Sequence, residues 1–553
     1  MDNARLFLIA ALGLILMLLW QAWEEEQKKT AGTDLTATQT KPPAEPRLGV
    51  PQAPETQTAP PPRAAAAPRP ADEGLARGAR IAVETDVVRA VIDTQGGDLR
   101  ELSLREYPVA ADKPNEPFPF LRDSGAELYV AQSGLIGHGG NYANHKTRFA
   151  AVATGYALRD GQNDLRVPLT WNSPDGVRYT KTYLFHRGSY VIDIEITVEN
   201  GARKEWSGYL YSQFQRSHVE SGGLFNVIPS YTGGAIYTPE HKYEKIPFDE
   251  IAKKSLKREV TGGWVAMLQH YFVGSWMPRK DERNEFYSDA QDGRRILGYK
   301  NLDAVRIAPG QSAVLRTQLY AGAKEQRILK TLAEGMELTV DYGWLTVLSA
   351  PLFWLLAWIH GWVGNWGWAI ILVTVLIKAA FYPLSAASYR SMAQMKKLQP
   401  KLQALKERYG DDRQKLNQAM MELYKTDKIN PLGGCLPIIV QIPVFLALYW
   451  VLLESVEMRQ APWILWIKDL SAQDPYYVLP IVMGVTMYAQ QFLNPQPVDP
   501  IQKKMFMLMP LFFMVFFLFF PAGLVLYWTV NNLLSVAQQW QITRAIAGKG
   551  KPA

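Results

Sequence analysis

Sulfur chemistry is nearly absent from this chain. One of its 553 residues is cysteine, Cys435, which excludes an intramolecular disulfide, a CxxC zinc site and a dithiol redox centre. No GxxxxGK[ST] loop occurs, so a phosphate-cradling nucleotide site of that kind is excluded as an energy source. His138, His145, His186, His218, His241 and His270 are scattered and form neither HxxxH nor HExxH. No metal, triad or cofactor is therefore expected, and these histidines read as ordinary surface or core residues. The apolar segments also show no internal repeat of the sort common in transporters.

Long apolar runs are plentiful, but only in part of the chain. The mean hydropathy of −0.12 averages two unlike regions. Residues 24–340 are polar to mixed, and residues 345–540 carry most of the apolar runs. In such a chain the net charge of +7 fits basic cytoplasmic loops better than a nucleic-acid surface. Residues 6–23 follow Arg5 and are long enough for a short span. Trp20, Trp23 and three glutamates follow the core in place of a small-x-small cleavage site, so residues 1–23 read as an uncleaved signal anchor. Residues 24–80 hold ten prolines between Pro42 and Pro70 and read as a flexible tether.

Residues 81–340 change register. IAVETDVVRAVID followed by TQGGD, and VRYTKTYLFHRGSYVIDIEITVENG, alternate with period two between turn residues, which predicts a large antiparallel β-sandwich. Residues 341–362 carry Trp344, Trp354, Trp358 and Trp362 around Pro351 and predict an amphipathic helix on a membrane surface, with His360 as an interfacial contact. Spans are predicted over 366–384, 431–453, 476–492 and 505–530, the last broken at Pro521, Ala522 and Gly523. With the anchor, that makes five.

Between the second and third spans, residues 385–428 form two amphipathic stretches around Gly410, Asp411 and Asp412. They predict a helical hairpin with Asp411 or Asp412 as N-cap. This loop carries ten Lys and Arg, among them Arg390, Lys396, Lys397, Lys401, Lys406 and Arg408, whereas residues 454–475 carry only Arg459 and Lys468. Lys503 and Lys504 mark the loop 493–504, and Arg544, Lys549 and Lys551 mark the tail 531–553. The positive-inside rule then places both termini and the hairpin in the cytoplasm and the β domain outside.

The segment ILVTVLIKAAFYPL raises a further question, because Lys378 stands within it. A charge near the centre of a membrane helix costs roughly 2.5–3.5 kcal/mol on an insertion scale. Either the side chain snorkels to the interface or it lines a water-filled recess open to the cytoplasm. Thr374, Gln441, Gln490, Gln491, Asn531 and Asn532 supply further polar wall candidates, although each could equally be a helix–helix hydrogen bond.

NPLGGCLPIIVQIPVFLALYW (430–450) and FPAGLVLYWTVNN (520–532), with this order of parts, resemble the YidC/Oxa/Alb membrane insertase family over the whole chain. The resemblance implies a five-helix core around a hydrophilic groove, and an outer β-supersandwich similar to sugar mutarotases, as in Gram-negative members. The family places an arginine where this chain has Lys378, which keeps the charge but lacks the planar fork of donors. Gln441, Pro443, Tyr527 and Trp528 map to its substrate-contacting faces, with Thr374 beside the groove. Nascent inner-membrane proteins, Sec translocon components, the ribosome and signal-recognition machinery, and membrane lipids are the implied partners, with no direct nucleic-acid substrate. The resemblance implies no enzyme activity and a multi-pass protein of the bacterial inner membrane. A solute transporter or channel is the alternative from the intramembrane charge and broken helices. A sugar epimerase is the alternative from the outer domain.

Overall fold

The computed structural model describes residues 75–124, 127–217, 231–291, 293–410, 412–427, 436–494 and 500–548. The expected anchor, the tether up to residue 74, His218, Asp411, the Gly433–Gly434 pair, Cys435, Lys549 and Lys551 lie outside them. The chain divides into two compact units at Asp341 and Tyr342.

The first unit is a β-sandwich. Its strands run from β1 (Arg80–Glu84) to β20 (Ser312–Ala323) and form an 11-stranded and a 9-stranded sheet. Pairing among the described strands is antiparallel except where β1 meets Gly155–Ala157 in parallel. β9 (Val177–His186) and β10 (Val191–Asn200) show why: alternate residues are buried along both strands, so each buries one side against the facing sheet.

The TQGGD turn lies inside this sandwich. Gly96 and Gly97 have φ of 83° and 56°, a left-handed conformation that suits glycine. Their carbonyls face the other sheet, where the Tyr183 hydroxyl donates to Gly97 O at 2.6 Å and Lys181 Nζ donates to Gly96 O at 3.3 Å and Ser133 O at 2.8 Å. Burial lowers the Lys181 ammonium to about 8. Burial raises Asp98 to about 6 against the opposing pull of Arg100 and Lys181. Both charges are thus embedded in a polar layer, in which Gln132 Nε2 donates to Asp98 Oδ2 at 2.8 Å and Gln213 Nε2 donates to Gln132 Oε1 at 2.9 Å.

One of the scattered histidines is a clamp. The two ring nitrogens of His186 stand 2.6 Å from Asp164 Oδ1 and 2.7 Å from Asp193 Oδ2. Two acceptor-only carboxylates require two N–H donors, which is the imidazolium form. Burial alone would lower the His186 pKa, but the bonds to Asp193 and Asp164 outweigh it and raise the pKa. A raised histidine contributes stability that is complete below the unfolded value, about 6.5, and is lost as pH climbs through the folded value. In the full chain, His186→Gln should speed amide exchange over residues 164–200 at pH 6, and the gap from the native chain should narrow as pH climbs through the raised folded value. An equal gap at both pH values would remove the imidazolium from the account.

The short helices α1 (Phe248–Lys253) and α2 (Gln326–Leu332) complete the first unit, and the second is helical. It comprises α3 (Thr346–Val363), α4 (Trp366–Ala380), α5 (Tyr382–Tyr409), α6 (Arg413–Thr426), α7 (Leu436–Glu454), α8 (Val478–Leu493), α9 (Pro500–Phe516) and α10 (Ala522–Gly548). Among the described residues α3 is the helix that is by itself long and apolar enough to cross a membrane. Helices α4 and α5 meet that test together but bend by 68°, and residues Gln441–Glu454 and Val478–Leu493 are shorter apolar helices. Helix α3 is one-sided, as the tryptophans predict: Ser349, Phe353, Leu356 and Ile359 are buried while Trp354, Trp358 and Trp362 are exposed.

Two predicted boundaries are corrected. The helix expected over 366–384 stops at Ala380, and Tyr382 starts the next. Pro383 lies in the first turn of α5, where its missing N–H costs nothing, but it could not extend α4. The span expected over 505–530, broken at Pro521, Ala522 and Gly523, is two separate helices. A 3₁₀ turn at Phe517–Phe519 ends the first, and Phe520 is extended at φ −102°, ψ 155°, as its position before Pro521 favours. The opening N–H groups of α10 are satisfied from outside the helix, Ala522 N by Ala472 O at 2.7 Å and Gly523 N by Leu470 O at 2.9 Å.

Candidate functional site

Lys378 falls in the last turn of α4, where its charge faces the helix's unpaired carbonyl end. With the helix ending at Ala380, the residue lies five positions past the midpoint, about 7.5 Å along the axis at 1.5 Å per residue. Its side chain turns inward. Lys378 is only 7% exposed, and its Nζ donates to Ser535 Oγ on α10 at 2.7 Å. Ser535 Oγ in turn donates to Asn531 O, one turn earlier, at 2.7 Å. The Asn531 side-chain oxygen accepts from Gln441 Nε2 on α7. One hydrogen-bonded chain thus joins α4, α10 and α7.

Ile377, Lys378, Phe381, Leu384, Ser385, Gln441 and Val444 line a recess beside this chain. Pro443, inside α7, removes a backbone donor two residues from Gln441. Aromatic rings pack along the other side: Phe445 stands edge-on to Trp528 at 4.4 Å and stacks on Tyr527 at 6.2 Å, and Phe517 meets Trp528 at 5.2 Å. The Trp528 indole nitrogen and the Asn532 amide nitrogen are buried with no hydrogen-bond partner among the described residues. Apolar rings beside unspent polar groups make a surface that can accept both kinds of side chain.

Not every wall candidate joins. The Thr374 hydroxyl is buried and donates to Ile370 O of its own helix at 2.6 Å, so it closes a local bond and is not among the recess residues. Gln490 and Gln491 are half-buried near the end of α8 and do not line the recess either. Ser385 and Ser535 join the site although neither is among the polar wall residues that the sequence suggests. Tyr527, Asn531, Ser535 and Gln539 recur every four residues, a helical stripe that carries the signal for Ser535. Its lower end is also paired, since Gln539 Nε2 donates to Asn494 Oδ1 at 3.0 Å.

The hairpin begins against the same helix. Ala386 and Tyr389 of α5 cluster with Ile542 of α10, and Met392 packs on them. Asp412 caps α6 by accepting from Gln414 N at 3.2 Å and Lys415 N at 3.1 Å. Among the predicted cations, Lys396 donates to Phe492 O at 3.2 Å, Lys401 pairs with Asp427 at 3.2 Å, and Arg408 lies 5.4 Å from the centre of the Tyr409 ring. Arg390 and Lys397 are exposed and Lys406 is half-buried.

Comparison with known proteins agrees over the whole length. The family described as "YidC periplasmic domain" matches residues 80–355, and "60Kd inner membrane protein" matches residues 358–549. The "Membrane protein insertase YidC" of Nitrosococcus oceani is 50% identical over 556 residues, covering 100% of both chains. That of Thioalkalivibrio sulfidiphilus is 49% identical over 563 residues, again covering 100% of both. A crystal structure of an active YidC insertase with its first transmembrane domain resolved overlays 84% of this chain and 93% of its own at 17% identity, with a TM-score of 0.40.

Proposed function

Because the chain belongs to the YidC family of membrane protein insertases, we propose that it inserts polypeptides through a groove walled by α4, α7 and α10, with Lys378 as its charge. Membership makes it an inner-membrane insertase with a periplasmic domain, not an enzyme. The observation that carries the groove is the hydrogen-bonded chain Lys378–Ser535–Asn531–Gln441, buried at Lys378 and Ser535 and half-buried at Asn531 and Gln441, linking three largely apolar helices. A hydrophilic segment enters the recess from the cytoplasm, and Lys378 attracts its acidic residues. Pro443, Tyr527 and Trp528 offer contact to the adjoining apolar stretch, with Thr374 beside the groove and Asn531 and Asn532 supplying polar contact. Transfer of that stretch into lipid, at roughly 25 cal/mol per Å² of apolar area, drives the step without nucleotide.

The division of the last span also alters the topology. Five spans with the N-terminus inside would put the tail outside, against Arg544, Lys549 and Lys551. Counting α9 and α10 separately, with α4, α7, α8 and the anchor, gives six, and both termini lie in the cytoplasm with the hairpin. α4 has 15 residues and α8 has 16, so each is shorter than a 30 Å core by several Å. That mismatch favours a locally thinned bilayer and a shorter passage. The exposed hairpin cations Arg390, Lys396, Lys397, Lys401 and Arg408, together with Lys406, suit the ribosome and the signal-recognition machinery, and the chain works alone or beside the Sec translocon.

Liposomes holding the purified chain should protect a small single-span substrate from added protease, and empty liposomes should not. Equal protection in both would sink the reading. A tag on the tail should be reached only from the cytoplasmic side; access from the periplasmic side would remove one helix from the count.

A further inference from the structure

Lys378 is buried, and among the described residues nothing supplies its ammonium with a carboxylate. Its partner is the Ser535 hydroxyl. A serine hydroxyl has one hydrogen, and Ser535 gives it to Asn531 O at 2.7 Å, so what it turns toward Lys378 is a lone pair. Ser535 is itself 4% exposed on α10, and the Asn531 side chain one turn earlier is held from α7 by Gln441. The acceptor is therefore fixed in both direction and position. A lysine ammonium is a point charge on a flexible stem, without the preorganised fork of arginine. Such a cation needs something to aim it.

We infer that Ser535 is the positioning residue of the groove cation: a neutral tether that holds Lys378 turned into the recess without cancelling its charge. One of the three ammonium N–H groups is spent on Ser535, and two remain for a carboxylate on the incoming polypeptide. A carboxylate at position 535 would aim the lysine equally well but neutralise it. An alanine would leave the charge intact but free to swing. This inference rests on the groove reading above and adds to it the group that sets the site's preference for acidic segments.

The test uses the full chain in liposomes and two versions of one single-span substrate, one with an acidic leader and one with each Asp and Glu of that leader changed to Asn and Gln. The readout is the ratio of the two insertion rates, which a general folding defect does not move. Ser535→Ala should lower that ratio about tenfold, the loss expected for one hydrogen bond to a charged group. Ser535→Thr, which keeps the hydroxyl, should restore it, and Ser535→Asp should bring it close to one. If Ser535→Ala slows both substrates alike with the ratio intact, Ser535 is only structural and the inference is overturned. Lys378→Leu separates the two levels. A ratio unchanged by Lys378→Leu defeats the reading of Lys378 as the groove's working charge, whereas a ratio that collapses with Lys378→Leu but survives Ser535→Ala defeats only the role of Ser535.

Discussion

Replacing Lys378 with leucine should slow insertion of an acidic-leader substrate by on the order of 100-fold, and Lys378→Arg should retain most of the rate. The size follows from the charge. A carboxylate moved into a membrane helix without a counter-charge costs roughly 2.5–3.5 kcal/mol, and each 1.4 kcal/mol is tenfold. Leucine preserves the bulk and the helix propensity of the site, so the change tests charge, not packing. Arginine keeps the charge, and its fork can reach both Ser535 and a carboxylate. The comparison is made in liposomes, by the fraction of substrate protected from protease at matched times. A Lys378→Leu chain as fast as the native one would leave the recess as a hydrated slot whose charge has no part in insertion.

Particular residues show how far the sequence alone carries. The β-sandwich is legible because alternation in VRYTKTYLFH and VIDIEITVEN has one physical meaning when a strand buries a single face. The cap is legible as a pair, Asp411 or Asp412, since an aspartate before an amphipathic run satisfies exposed N–H groups, and it is Asp412 that accepts them. The α9–α10 division is harder to read. Residues 505–530 carry Phe, Met, Leu and Val before Pro521 and Leu, Val, Tyr and Trp after it, with no charge between them. Where both flanking helices are apolar, hydropathy has no contrast to mark a turn; Pro521, Ala522 and Gly523 mark a break, and the bond partners of Ala522 and Gly523 show that it separates two helices. Ser535 is hidden for the same reason, because a span that ends at residue 530 leaves it in a tail. Thr374 fails in the opposite way: its type and position suggest a groove wall, yet the hydroxyl closes on its own helix at Ile370.

The sandwich should prove most sensitive at Trp264. This side chain is 0% exposed in Trp264–Leu268, stacks on Tyr237 at 5.9 Å, and lies 6.1 Å from Tyr243. Its indole nitrogen donates to Glu334 O at 3.0 Å, fastening residue 334 to the sheet. Truncation to alanine removes the ring contacts and opens a cavity, about 3–5 kcal/mol for an aromatic in a packed core. It also leaves the Glu334 carbonyl without that donor. Amide exchange over residues 233–277 in the full chain should therefore accelerate about 100-fold to several thousandfold in Trp264→Ala. Trp264→Phe, which keeps most of the packing and loses the N–H, should accelerate it far less. Equal acceleration in both variants would assign the stability to the Glu334 bond instead of the ring. The same Trp264→Ala chain bears on function as well. Every residue of the proposed groove lies in the helical unit beyond Asp341. Insertion of a single-span substrate should therefore outlast loosening of the sandwich. A parallel loss of insertion would make the β-sandwich a working part of the insertase.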